Sequence, residues 1–186
     1  MMATVRMLRA PGAALVAQQA RLDDERSFER FFVTHYERVV LIAYKVLGDR
    51  QSAEDVAQDV FLSFHGRVDP SAEWAPGWLW AASAHRALNM VRGSKRRRDR
   101  EFRVAPAAPR PDPLDSAIAA EQRVVVRAAL ARLPQRQAEV LAMRASGLSY
   151  ADIASAVGVQ PGSVGTLISR AQKSLRKELT RAQAPL

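Results

Sequence analysis

The sequence predicts an all-α protein built as two small helical domains joined by a Pro-rich linker. Three observations predict it. Apolar residues recur at helical spacing from about Asp24 to Arg92 and again from about Leu114 to Ala182. Strand-like alternation is missing between the breaks. Four prolines (Pro106, Pro109, Pro111 and Pro113) crowd the stretch Glu101 to Asp115, where each removes a backbone donor and disfavours helix in the residue before it. The chain of 186 residues has room for two such units. They divide as a disordered or fraying tail over 1–23, a first domain over 24–100, a flexible linker over 101–115 and a second domain over 116–182. Fully extended, that linker reaches up to about 50 Å.

Composition narrows the partners. The 28 Lys and Arg outnumber the 19 Asp and Glu, giving +9, and this excess points to a polyanion, nucleic acid first. Cysteine is absent, which excludes disulfides and thiolate metal sites and fits a reducing, cytoplasmic setting. His35, His65 and His85 lack ligand spacing and are expected to be ordinary surface or half-buried residues. No metal, cofactor or catalytic residue is expected. No apolar run approaches the length of a membrane helix.

Along the first domain, Ala53, Val56, Ala57, Val60, Phe61 and Phe64 form one apolar stripe after the break at Gly48-Asp49. The opposite face carries Glu54, Asp55, Gln58, Asp59 and Leu62. An acidic face in a basic protein is a poor DNA surface. It suits a protein partner, with Leu62 as an apolar contact, or it is a solvated helix face. A loop follows over Val68 to Pro76, then a helix from near Gly77 with Trp78, Leu79 and Trp80, ending in a basic run through Lys95, Arg96, Arg97 and Arg98. Aromatics beside cations suit unpaired nucleic acid, where rings stack on bases and cations meet phosphates. Trp78 and Trp80 stand two apart, so at least one belongs to the core. Trp74 is the better candidate for an exposed ring.

The second domain carries the sharpest signal. Glu121 to Leu133 and Gln135 to Ala145 read as scaffold helices, closed by Pro134 and Gly147. Ser149 and Asp152 have capping-box spacing. Gly158 suits a turn needing positive φ, and Pro161 suits the first turn of a helix. Beyond it, Val164, Leu167, Ile168, Ala171 and Leu175 make one apolar stripe. Ser163, Thr166, Ser169, Arg170 and Lys173 lie on the other face, short polar groups first and cations after. That order fits a recognition helix, whose first turns reach base edges while flanking cations meet phosphate. Ser163 and Gly165 are small enough to allow close approach to DNA. The pattern is a helix-turn-helix.

Three segments together carry a resemblance to a known family: AEDVAQDVFLSF (Ala53 to Phe64), WLWAASAHRALNMVRGSKRRR (Trp78 to Arg98) and LPQRQAEVLAMRASGLSYADIASAVGVQPGSVGTLISRAQKSLRK (Leu133 to Lys177). In this order and spacing the chain resembles a bacterial RNA polymerase sigma factor of the extracytoplasmic-function type, in the sigma-70 family. The resemblance covers nearly everything from Phe28 to Leu179. It implies a region 2-like first domain, a region 4-like second domain, and an alternative sigma factor directing promoter-specific initiation. Its partners would be core RNA polymerase, at the clamp coiled coil and the flap, and promoter DNA, with an anti-sigma factor as a further candidate and no insertion into a membrane. Asp55, Gln58, Asp59 and Leu62 match the helix that grips the clamp. Val68 to Pro76 matches the loop that captures a flipped −10 base, with Trp74 in it. Arg86, Asn89, Arg92, Arg96 and Arg97 lie along the helix that melts and holds the −10 strand. Ser163, Thr166, Ser169, Arg170 and Lys173 match the helix that reads the −35 duplex. Two departures stand out. Arg86 and Asn89 occupy positions where the family often has Asn and Asp, so contacts there are expected to differ. Ala145 replaces a larger apolar residue, which is expected to thin the local packing. The competing reading is a stand-alone helix-turn-helix regulator, against which the acidic face argues. A nucleic-acid-cleaving enzyme would need a clustered acidic metal site that the sequence lacks.

Overall fold

A computed structural model describes residues 11–100 and 117–183. Among these residues all regular structure is helical: α1 (Pro11–Leu47), α2 (Arg50–Phe64), α3 (Ala75–Arg100), α4 (Ala117–Arg132), α5 (Gln135–Ala145), α6 (Tyr150–Val157) and α7 (Pro161–Gln183). The expected linker, 101–115, lies outside the described residues, as do residues 1–10.

The first helix, α1, overlaps the expected tail. Residues 11–23 belong to α1, and Pro11 sits where its missing N–H costs nothing, at a helix start. Leu22 to Arg26 are exposed. This stretch is helical as the continuation of a segment whose later turns are packed. From Phe31 on, α1 buries Val39, Val40, Ile42, Ala43 and Val46.

Gly48 (φ 69°) ends α1, a left-handed conformation that glycine adopts without a Cβ clash. Asp49 then caps α2, its carboxylate accepting the Ser52 N–H at 2.9 Å. The buried residues of α2 are the six of the apolar stripe. They meet α1 in an aromatic cluster: Phe31 stacks on Phe64 at 4.8 Å, and Phe32 meets Phe61 edge-on at 4.7 Å. In the loop to α3, the Asp69 carboxylate accepts from the Ser71 N–H and hydroxyl at 2.8 and 2.7 Å. Helix α3 starts at Ala75, two residues earlier than expected, and so takes Pro76 into its first turn, where proline is tolerated.

The second domain follows the sequence closely. Pro134 precedes α5, and Ser149 and Asp152 form a complete capping box at the start of α6. Gly158 (φ 65°) turns the chain, and Pro161 opens α7. Ala145 is exposed, so the small side chain there thins no packing, contrary to expectation.

The two domains pack against each other. Helix α3 lies against α5 and α6, and α1 lies against α4 and α5, around one continuous buried cluster that runs from Phe31 to Ile168. Three arginines cross the contact, each donating to backbone carbonyls where a helix of the other domain ends. Arg38 of α1 reaches the Ser146 carbonyl at 2.8 Å. Arg92 of α3 reaches the Ala131 and Leu133 carbonyls at 3.2 and 2.8 Å. Arg127 of α4 reaches the Leu47 carbonyl. Helix C-termini leave carbonyls unpaired and carry partial negative charge, so a guanidinium is a good cap for them. The approach is close. A Cβ added at Gly77 would lie 3.1 Å from the backbone nitrogen of Ala156.

Candidate nucleic-acid interface

Helix α7 presents the face the sequence marked out. Val164, Ile168 and Ala171 are buried and Leu167 and Leu175 half-buried, which fixes the rotation of the helix. Ser163, Thr166, Ser169, Arg170 and Lys173 are then all exposed on the outward side, with Arg176 and Lys177 extending the basic face. The turn before α7 is tightly specified. The Ser149 hydroxyl accepts the Asp152 N–H, the Asp152 carboxylate accepts the Ser149 N–H at 3.1 Å, and the Val159 N–H reaches the Ala154 carbonyl. This holds α6 and α7 at a fixed angle, as groove insertion requires. Gly165 faces Tyr150 of α6, where a Cβ would make an ordinary 3.7 Å contact. Arg144 in turn sits over the Tyr150 ring at 5.4 Å.

Helix α2 turns its acidic side to solvent. Asp55, Gln58, Asp59 and Leu62 are all exposed, Leu62 at 74%. A leucine that open, with Asp59 one turn and Asp55 two turns before it, has the form of a small docking face.

The expected −10 residues divide. Trp74 is 54% exposed in the loop before α3, while Trp78 and Trp80 are half-buried against the core. Asn89 is exposed, beside an exposed Met90 that the apolar pattern had not marked. Arg86 is engaged within the first domain: Nη1 donates to Asp59 Oδ2 and Nη2 to the Ser63 hydroxyl, both at 2.8 Å. Ser63 was missed in the sequence, although it stands one helical turn from Asp59. Arg92 is half-buried and engaged across the domain contact, as described. Arg96 and Arg97 lie in the last turns of α3, and their side chains fall outside the described residues. Near the same surface, His85 Nδ1 is 2.9 Å from Glu139 Oε1 of α5.

Comparison with known proteins matches both domains. A family model for sigma-70 region 2 matches residues 31–97, and one for sigma-70 region 4 matches residues 123–175. The chain belongs to the sigma-70 family. Similar proteins place it in the extracytoplasmic-function group. It is 30% identical over 164 residues to the ECF RNA polymerase sigma factor SigE of Mycolicibacterium smegmatis, across 83% of this chain and 62% of that one. It is 27% identical to the RNA polymerase sigma factor CarQ of Myxococcus xanthus, across 82% of this chain and 89% of that one. Two solved structures share the fold at 22% identity. The sigma factor RpoE of Bartonella quintana, in complex with the anti-sigma factor NepR, gives a TM-score of 0.52 across 82% of this chain and 96% of that one. CnrH, in complex with the cytosolic domain of CnrY, gives 0.53 across 91% and 97%. The chain is a transcription-initiation factor. No helix among its described residues is long and apolar enough to cross a membrane.

Proposed function

We propose that this sigma factor docks on core RNA polymerase through the α2 face of Asp55, Gln58, Asp59 and Leu62, and reads two promoter elements from there. Helix α7 enters the −35 major groove, with Ser163, Thr166 and Ser169 toward base edges and Arg170 and Lys173 toward phosphate or guanine. The loop before α3 and the outward side of α3 hold the unpaired −10 strand, with Trp74 as a stacking surface and Asn89 about four turns further along the helix. The polymerase supplies the chemistry, and this chain supplies binding energy for the opened strand. Opening costs about 1–2 kcal/mol of stacking per base-pair step, so capture of the bases must offset it. The observation that carries the reading is the coexistence of an exposed acidic docking face and an exposed, partly basic recognition helix in one sigma-family chain. A stand-alone regulator needs only the second.

The proposed division of labour makes a further demand. Arg92 reaches a DNA strand only by releasing its two bonds to the carbonyls at the end of α4. The deciding experiment mixes the chain with core polymerase and a promoter. Holoenzyme assembly and run-off transcription are expected, both reduced when Gln58 and Asp59 are changed to Ala. DNA binding without any association with polymerase would sink the reading.

A further inference from the structure

Arg86 stands between the two surfaces just described. It projects from α3, the proposed −10 helix, but its guanidinium crosses to α2. One arm holds the Asp59 carboxylate, and the other donates to the Ser63 hydroxyl. Ser63 closes the network by donating to the Asp59 backbone carbonyl at 2.8 Å. A planar fork that reaches two acceptors one helical turn apart fixes the geometry of both, which a single ammonium cannot do. Asp59 stays 63% exposed and Arg86 41% exposed in this arrangement, so the carboxylate is oriented without being covered.

We infer that Arg86 is a positioning residue of the polymerase-docking face and not a −10 contact. It acts through Asp59. An exposed aspartate alone samples several rotamers, and ordering it on binding costs free energy. The guanidinium selects one rotamer beforehand and leaves the carboxylate facing outward beside Asp55 and Leu62. The inference rests on the proposal that α2 is the docking face. It also accounts for the departure at position 86: a cation there is useful when its partner lies on the neighbouring helix.

The test is a double-mutant cycle on the full chain, read as affinity for core polymerase, with Arg86→Ala, Asp59→Ala and the double variant. Arg86→Ala is expected to weaken core binding about 2- to 5-fold, the scale of an exposed ion pair, and to add little once Asp59 is already Ala. Arg86→Lys should recover part of the loss. Holoenzyme assembled at saturating concentration should bind a single-stranded −10 oligonucleotide equally well with Arg86 or Ala. Melting curves of each variant separate these effects from misfolding. Unchanged core affinity with weakened oligonucleotide binding would overturn the inference and return Arg86 to the DNA surface. So would additive losses in the double variant. Leu62→Ala is the control for the underlying reading. If it and Asp59→Ala both leave core binding intact, α2 is not the docking face and both ideas fall. If they weaken it while Arg86→Ala does not, the role of Arg86 alone falls.

Discussion

Replacing Arg92 with Ala should destabilise the free protein in the absence of any DNA. In the structure the guanidinium donates to the Leu133 carbonyl at 2.8 Å and, less well, to the Ala131 carbonyl at 3.2 Å. Both acceptors lie at the end of α4, Leu133 is buried, and the helix dipole adds to the attraction. A hydrogen bond to a charged group is worth about 1.5–3 kcal/mol. The longer second bond adds little, and half-exposure of the arginine weakens both, so about 2 kcal/mol is expected in total. For a chain of this size each kcal/mol moves the midpoint by roughly 2–4 °C, which gives a fall of roughly 4–8 °C. Arg92→Lys keeps the charge but reaches one carbonyl at a time, and should recover about half. Thermal melting of the three proteins, followed by circular dichroism, is the assay. Midpoints for Arg92→Ala within about 1 °C of the parent would refute the capping role. If −10 binding by the holoenzyme fell while the melting curve stayed put, Arg92 would be a DNA contact alone.

Other outcomes follow from the same geometry. Gly158 (φ 65°) and Gly93 both have open space where a Cβ would go, yet the signs should differ: Gly158→Ala loses about 1 kcal/mol to left-handed strain, while Gly93→Ala, inside α3, gains about 0.5–1 kcal/mol. Denaturant titrations showing the same sign for both would count against the backbone argument. Asp49→Ala removes the α2 cap and should cost about 1 kcal/mol at neutral pH. Burial pushes the Asp49 carboxyl up, but hydrogen bonds from Ser52 and the Gln51 N–H, with Arg127 nearby, outweigh it and hold it below its ordinary value. Its contribution is therefore present above the unfolded-state value and lost as pH falls through the lower folded-state one. Parent and variant should converge in stability on acidification, and a gap that persists in strong acid would exclude the carboxylate as the cause. Arg170→Ala should weaken −35 duplex binding by the holoenzyme and relax its sequence preference, at a cost of about 1–3 kcal/mol if the contact is to a base. An unchanged footprint would remove that role.

What the sequence made legible, and what it hid, follows from how each feature is encoded. The α2 stripe and the α6–α7 turn were readable because they depend on local spacing and on residues with a conformational reason to be there, such as Gly158, Pro161 and Ser149. The solvent-facing sets on α2 and α7 followed from the same periodicity. The contact between the domains was not readable. Arg38, Arg92 and Arg127 all end on backbone carbonyls, and every residue has one, so no residue type marks the acceptor. The Arg38 acceptor, at Ser146, lies 108 positions away.

The arginines of α3 show where charge alone stops being informative. A guanidinium is suited equally to a phosphate, a carboxylate and the carbonyl end of a helix, and composition cannot choose among them. Family resemblance placed Arg86 and Arg92 on the −10 strand because they lie on the right helix. The structure gives Arg86 a carboxylate and Arg92 two carbonyls, both inside the chain. Arg170 and Lys173 stand exposed on the outward side of α7, beyond a buried stripe that fixes their direction. The DNA assignment is therefore strongest on α7. In the proposed reading the −10 assignment rests on Asn89 of α3 and the loop ring of Trp74, while Arg92 is held by the carbonyls at the end of α4.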